Sequence, residues 1–390
     1  MSVSTEDRDV LRELGNRVAE IAALPVQQET IANWKALNGL KPVRPMVMVD
    51  NIPWHEMDVD GELALQTSDA FSQRLEKKLR KTLYAWNHMR ADMVVDPVID
   101  VPKVTRGVDM TDKTSSRGVL GISIEEDTVA LDADNEIVAH HYFDQLQTED
   151  DLEKIAAKTV THDEEATARD VETATDIFDG IIAVEAQGYM PRYAPWDDMV
   201  TWRGAQNALL DLADRPDFVH QIMDRTLNAY LSHLDQLEEQ GLLGYASATS
   251  GFAQRVVACT GAYTDELPAE GPDPQRPRAE DSWTYGMAQI FSEVSPAMHK
   301  EFELDYAAKW YSRFGLAYYG CCDPLHAKMD LIKTIPNLRK ISMSPWVDVE
   351  RGAEQIAGDF VFSRKPNPVV FITGDEEAET IEKDIRETVD

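Results

Sequence analysis

Cys321 and Cys322 stand side by side in the stretch YYGCCDPLH (residues 318–326), with Asp323 next and His326 close behind. They are two of the three cysteines in the chain. Thiols, an acid and an imidazole so spaced are the residue types that ligate a transition metal or supply a nucleophile. Adjacent side chains on a strand face opposite ways, so at most one thiol looks straight into a strand-lined cavity. A buried structural cysteine is the competing reading. Catalytic zinc takes three protein ligands and keeps one position open. Cys321, Cys322 and Glu293 are the favoured set, with Asp323 or His326 as substitutes for the glutamate.

Other residues invite chemistry at other points. His55, with Glu56 beside it, could touch substrate or move a proton, although a lone histidine in a Trp-His loop is as readily structural. Asp96 is read at the end of a strand over 92–99 as a candidate catalytic acid, with a turn acid before Pro97 as the alternative. Tyr189, Arg192 and Trp196 share one loop and suit an aromatic or carboxylate substrate, or plain lid packing. Tyr319, just before the cysteines, joins these as a substrate-binding candidate. Arg364 and Lys365 could hold an anion or simply be solvated, and His299 is expected at the surface.

These residues need elements to position them. Two helices are expected over about 5–38, broken near Pro25 and stopped before Gly39. Strands are expected at 45–49, 92–99, 181–185, 287–291, 316–320, 340–343 and 360–363, with 242–246 or 369–373 as an eighth. Helices are expected at 71–88, over the long stretch up to about 239, from Ser295-Pro296 to Gly315, from Asp323-Pro324 to about 333, at 347–358 and at 376–389. Residues about 103–145 read as a β-hairpin insertion turning at 132–135, and 260–278 as a surface loop. Strand and helix alternate at barrel spacing, which predicts a parallel sheet with right-handed crossovers. The expected fold is α/β: one TIM (β/α)8 barrel domain over 1–390, with N-terminal helices over 1–40 and the hairpin insertion.

Residues 287–296 (MAQIFSEVSP), a following helix, Gly315 and then YYGCCDP resemble the uroporphyrinogen decarboxylase-like superfamily. There a QIFDS-type strand is followed, one helix later, by a strand ending in a His-x-Cys-Gly-type motif. Residues 42–49, 92–99 and 180–191 look like its earlier strands, and FVFSRKPNP (360–368) occupies the place of its Gly-Asn-x-Asp-Pro turn. The resemblance implies a TIM barrel with its active site at the strand C-terminal ends. The family's tetrapyrrole decarboxylases carry an arginine-rich motif after the first strand; residues 50–56 hold no arginine, so that activity is not expected. LRKISMSP (338–345) and SRKPNP (363–368) are similar to the branch of corrinoid-dependent methyltransferases, which bind zinc through His-x-Cys and a later cysteine. Cys321 aligns with the motif cysteine, Tyr319 replaces the histidine, and no cysteine follows Cys322.

The resemblance thus implies a methyltransferase moving a methyl group between a small methylated substrate and a corrinoid protein, with zinc assistance. Zinc would either activate a thiol nucleophile or polarise a leaving oxygen. No Asp-x-His-x-x-Gly corrinoid signature is present, so that cofactor is expected on a separate protein. The alternatives are a metal-independent decarboxylase or lyase of a small carboxylic acid, and a non-catalytic small-molecule-binding barrel. Phosphate-loop, dinucleotide, nucleophile-elbow and HExxH motifs are all missing.

A formal charge of −32 argues against nucleic acid or an anionic membrane surface as partner. No window is apolar enough to span a bilayer, and the acidic, amphipathic N-terminus is unlike a signal peptide. The expected location is the cytoplasm, where reduced cysteines are usual, and a homodimer stays open. Acid segments near 148–153 and 163–172 read as solvated surface, which suits a salt-rich cytoplasm. If so, the melting temperature rises in molar salt; no rise in a thermal scan sinks the idea.

Overall fold

The computed structural model describes residues 3–108, 120–130, 138–244, 254–273, 276–368 and 377–389. The chain opens with helix α1 (Thr5–Ala22), whose N-cap Ser4 accepts the Asp7 N–H, and α2 (Pro25–Asn38), which begins on its proline. Helix α3 (Ala70–His88) is capped by Asp69. Apolar residues at helical spacing, Leu11, Leu14 and Val18 on α1 against Leu75, Leu79 and Leu83 on α3, bury one face of each. The first strand, β1 (Val98–Pro102), adds Ile99 and Val101 to that cluster.

β1 pairs in parallel with β2 (Ala183–Gln187). A four-stranded parallel sheet follows, built from β3 (Trp283–Gly286), β4 (Leu316–Tyr319), β5 (Leu338–Met343) and β6 (Val361–Arg364), side by side in chain order. Two single bridges relate the pieces. Tyr189, just past β2, pairs in parallel with Leu243, and Tyr193 pairs with Gly286 at the end of β3. Helices cover these strands: α4 (Glu164–Phe178) before β2, then α5 (Pro195–Arg203), α6 (Ala205–Asp214) and α7 (Pro216–Glu239) before β3. The architecture is mixed α/β with parallel sheet pieces, and no closed barrel is formed among the described residues.

Several boundaries differ from those expected. Residues 45–49 pair with no strand: Val47 bonds the Asp92 backbone and carboxylate, and Val43, Val47 and Val49 are exposed. Pro97, which has no N–H to give a ladder, holds off the second expected strand until Val98. Asp96 therefore precedes β1 instead of ending it. The strand expected at 287–291 lies earlier, at β3, and residues Gln289–Glu293 form a 3-10 turn. The helix after it contains a π-turn, Lys300–Leu304. Asp323-Pro324 opens only a 3-10 turn, Leu325–Ala327, and a short helix, Met329–Ile332. The insertion contains an antiparallel pair, Glu126–Ala130 with Val138–Tyr142. Its expected turn at 132–135, the candidate strand at 369–373 and part of the one at 242–246 lie outside the described residues.

Gly188 marks the tightest approach in this framework. A Cβ there would stand 2.6–2.7 Å from the carbonyl oxygens of Leu242, Leu243 and Gly244. The Gly188 and Tyr189 N–H groups donate to that same strip of backbone, so it cannot step back without losing them. Gly188→Ala should cost about 1–3 kcal/mol of unfolding free energy in urea titration; an unchanged midpoint would show the strip is free to move.

Candidate functional site

Alternation divides each strand between two environments. On β4, Leu316 and Tyr318 pack with Trp283, Val257 and Ala262, while Ala317 and Tyr319 join the helix-side core. On β5, Ile341 and Met343 take the helix side, which turns Lys340 and Ser342 to the inner face. The inner face is polar where the strands of a packed barrel would carry branched apolar side chains. Tyr318 Oη lies 3.3 Å from Ser363 Oγ and 3.8 Å from Cys259 Sγ. Lys365 Nζ donates to Ser342 Oγ at 2.7 Å and to the Cys321 carbonyl at 3.2 Å, and sits 5.6 Å from the centre of the Tyr318 ring. Burial pulls the Lys365 ammonium down, yet Tyr318, Cys259 and Cys321 outweigh it and hold its pKa above the usual lysine range.

At the opposite end of the strands an acid–arginine cluster closes the inner face. Arg255 reaches Asp96 at 3.1 Å and Asp100 at 2.5 Å; Tyr263 Oη donates to Asp96 at 2.7 Å. Burial pushes the Asp96 carboxyl up despite Arg255 and Tyr263. Above this cluster Lys340 is 0% exposed, lies 5.5 and 5.3 Å from the rings of Trp34 and Trp283, and donates to Gly261 O and Thr260 Oγ1. Burial lowers its pKa to about 7.

The cysteine turn follows Gly320, whose φ of +98° lets the chain leave β4 sharply. Cys321 is half-buried and Cys322 exposed, with their Sγ atoms 3.6 Å apart. Burial, only partly offset by Lys365, raises the Cys321 thiol to about 12, so it is protonated near neutrality. Asp323 is buried and accepts the Cys321 N–H, and burial raises its pKa too. His326 accepts the Asp348 N–H, while Glu293 is exposed at the end of its 3-10 turn. Among the described residues no group of three or more His, Cys, Asp or Glu side chains is placed to hold a metal ion. The two thiols are brought together, but the residues present do not complete a zinc site.

The remaining candidates scatter. His55 lies 3.4 Å from Glu56, in a segment whose Trp54 packs on Tyr84 of α3; Asp96 has other partners, so these two are not a pair. Arg192 is on the inner side, 3.4 Å from Tyr285 Oη. Tyr189 is half-buried, edge-on to His233. Trp196 is fully buried on α5 against Phe291, and its Nε1 donates to Phe302 O. Tyr319 is also fully buried on the helix side, so neither it nor Trp196 faces the inner surface. Tyr319 Oη bonds His299 Nε2 at 2.8 Å and Glu303 at 3.2 Å, which makes His299 a core residue rather than a surface one. Arg364 is taken by Asp384 at 3.0 Å. Sequence reasoning missed Lys340, Tyr318 and the Arg255 cluster. The signal for Lys340 was a cation within the strand segment LRKISM, where alternation sets it on the face opposite Ile341 and Met343.

A lysine buried in this way has a definite pH signature. Between about 7 and the lysine value of 10.5 the unfolded chain binds the proton that folded Lys340 has lost. Stability therefore rises with pH across that window, by at most about 1.4 kcal/mol per unit. In denaturant titrations at pH 6–9.5, Lys340→Met should remove that slope relative to the parent; equal slopes would show a charged lysine inside.

No protein-family model matches the sequence, and no curated protein matches it. Among solved structures, a methyltransferase from Methanosarcina mazei aligns with 92% of this chain and 89% of its own, at a TM-score of 0.47 and 11% identity. That is a likeness of chain trace, too loose to assign a family.

Proposed function

We propose that this chain is a barrel enzyme of the corrinoid-dependent methyltransferase type. In this reading the parallel strands close into a TIM barrel, and a small methylated substrate binds on their inner face. A corrinoid carried by a separate protein docks at the strand C-terminal ends and accepts the methyl group. The supporting observation is the pair Cys321–Cys322, Sγ atoms 3.6 Å apart, on the rim beside Lys365 and Tyr318. The acceptor supplies the nucleophile. The chain's own work is to orient the donor and to protonate the heteroatom that the methyl leaves, a task for the Lys365 ammonium. The donor set for zinc is incomplete, so no step is routed through a metal.

A second reading is a decarboxylase or lyase of a small carboxylic acid. It is favoured by Arg192 and Lys365, neither of which is within ion-pair distance of a carboxylate among the described residues. The two separate in one experiment with free cob(I)alamin and a panel of small methyl ethers, thioethers and methylamines. Under the first reading the cobalt(I) absorbance decays with a donor, and Lys365→Met slows this by roughly 10²-fold or more. Carbon dioxide release from carboxylic acids without any cobalt methylation would replace the first reading with the second. Elemental analysis belongs beside it: about one zinc per chain, lost on Cys321→Ala, would restore zinc to the proposal.

A further inference from the structure

Acidic residues outnumber basic ones 70 to 38 in this chain, so carboxylates are plentiful for any cation the fold brings near one. Arg8, Arg44, Arg80, Arg203, Arg255 and Arg313 all have one. Of the inner-face cations that lack one, Lys340 is sealed between two indoles and offers a ligand no approach. Arg192 and Lys365 are different, being half-buried and therefore reachable.

Arg192 also keeps donors in reserve. A guanidinium carries five N–H groups, and Arg192 gives one, at a loose 3.4 Å, to Tyr285 Oη. The Lys365 ammonium gives its protons to neutral partners, Ser342 Oγ, Cys321 O and the Tyr318 hydroxyl, and so keeps its charge uncompensated by a carboxylate. Their aromatic neighbours are side by side, since Tyr285 on β3 pairs in register with Tyr318 on β4. Two reachable cations thus flank one pair of adjacent tyrosines near the strand C-terminal ends. Asp197 favours the charged form of Arg192 through space, from beyond ion-pair contact.

We infer that Arg192 and Lys365 form a subsite for the carboxylate of a small substrate, with the half-buried Tyr285 as the surface its carbon skeleton lies on and Tyr318 backing it from within. This rests on the reading that the inner face is the substrate site, and it deepens that reading by naming the substrate class. A carboxylate offers about four lone-pair sites, of which an arginine fork takes two while the Lys365 charge attracts the group as a whole. Lys340, in this scheme, only shapes the base of the site.

Titration calorimetry at pH 7 and fixed ionic strength tests it, with acetate, propionate and benzoate each compared with its amide. At least one carboxylate should bind saturably, and its amide at least tenfold more weakly. Arg192→Met and Lys365→Met, checked for parental circular dichroism, should each weaken the carboxylate tenfold or more and leave the amide unchanged. Arg192→Lys and Lys365→Arg should each recover part of the loss. Amides binding as well as acids, variants binding like the parent, or no saturable binding by any of the three acids would overturn the inference. Carboxylate binding without cobalt methylation would sink methyl transfer and leave the subsite standing; methylation of uncharged donors alone would do the reverse.

Discussion

Adjacent side chains on a strand must leave the backbone on opposite faces, and the organisation of this molecule depends on how β4 meets that constraint. Tyr318 and Tyr319 are chemically the same residue, yet one faces Cys259, Ser363 and Lys365 and the other faces His299 and Glu303. The first belongs to a polar inner surface, the second to a buried network under the helices. The same rule sends Lys340 and Ser342 inward from β5 while Ile341 and Met343 pack outward. A slip of one residue would exchange the two sets, placing a lysine under the helices and a methionine in the candidate site.

Charge is sorted in the same way. Most of the acid surplus is on exposed helices and turns, where solvent screens it at little cost. Inside, carboxylates are spent on particular tasks: Asp96 and Asp100 hold Arg255, and Glu76 accepts the Gln66 and Thr67 N–H groups while gripping Arg80. At the strand C-terminal ends the pattern is mixed: Arg364 pairs with Asp384, while Arg192 and Lys365 bond neutral acceptors.

What the sequence made legible follows from which signals are local. The N-terminal helices, the break at Pro25, the hairpin strands and the helix–strand alternation all depend on short-range chemistry, and they were readable. The strand at 45–49 was not, because PMVMV has strand composition whether or not a partner is present. For the proposed metal set, Glu293 is near Cys321 in motif order, but the strand before it ends earlier than expected and the glutamate stands on an exposed turn. Trp196 and Tyr319 looked like substrate contacts because aromatic residues serve binding and core equally well. Only their neighbours, Phe302 and His299, decide between the two.

The π-turn Lys300–Leu304 has a bearing on how this chain can change over time. A π-turn widens a helix by one residue, and here it starts after His299, contains Glu303 and precedes the aromatic pair Trp310 and Tyr311, packed on Tyr193. Deleting one residue from it would rotate everything beyond by about 100° relative to what precedes it. Either His299, fully buried against Tyr319, or the aromatic pair would then face away from its partners. Loops elsewhere in the chain can lengthen or shorten with little effect, but this helix is fixed in residue count as well as in residue type.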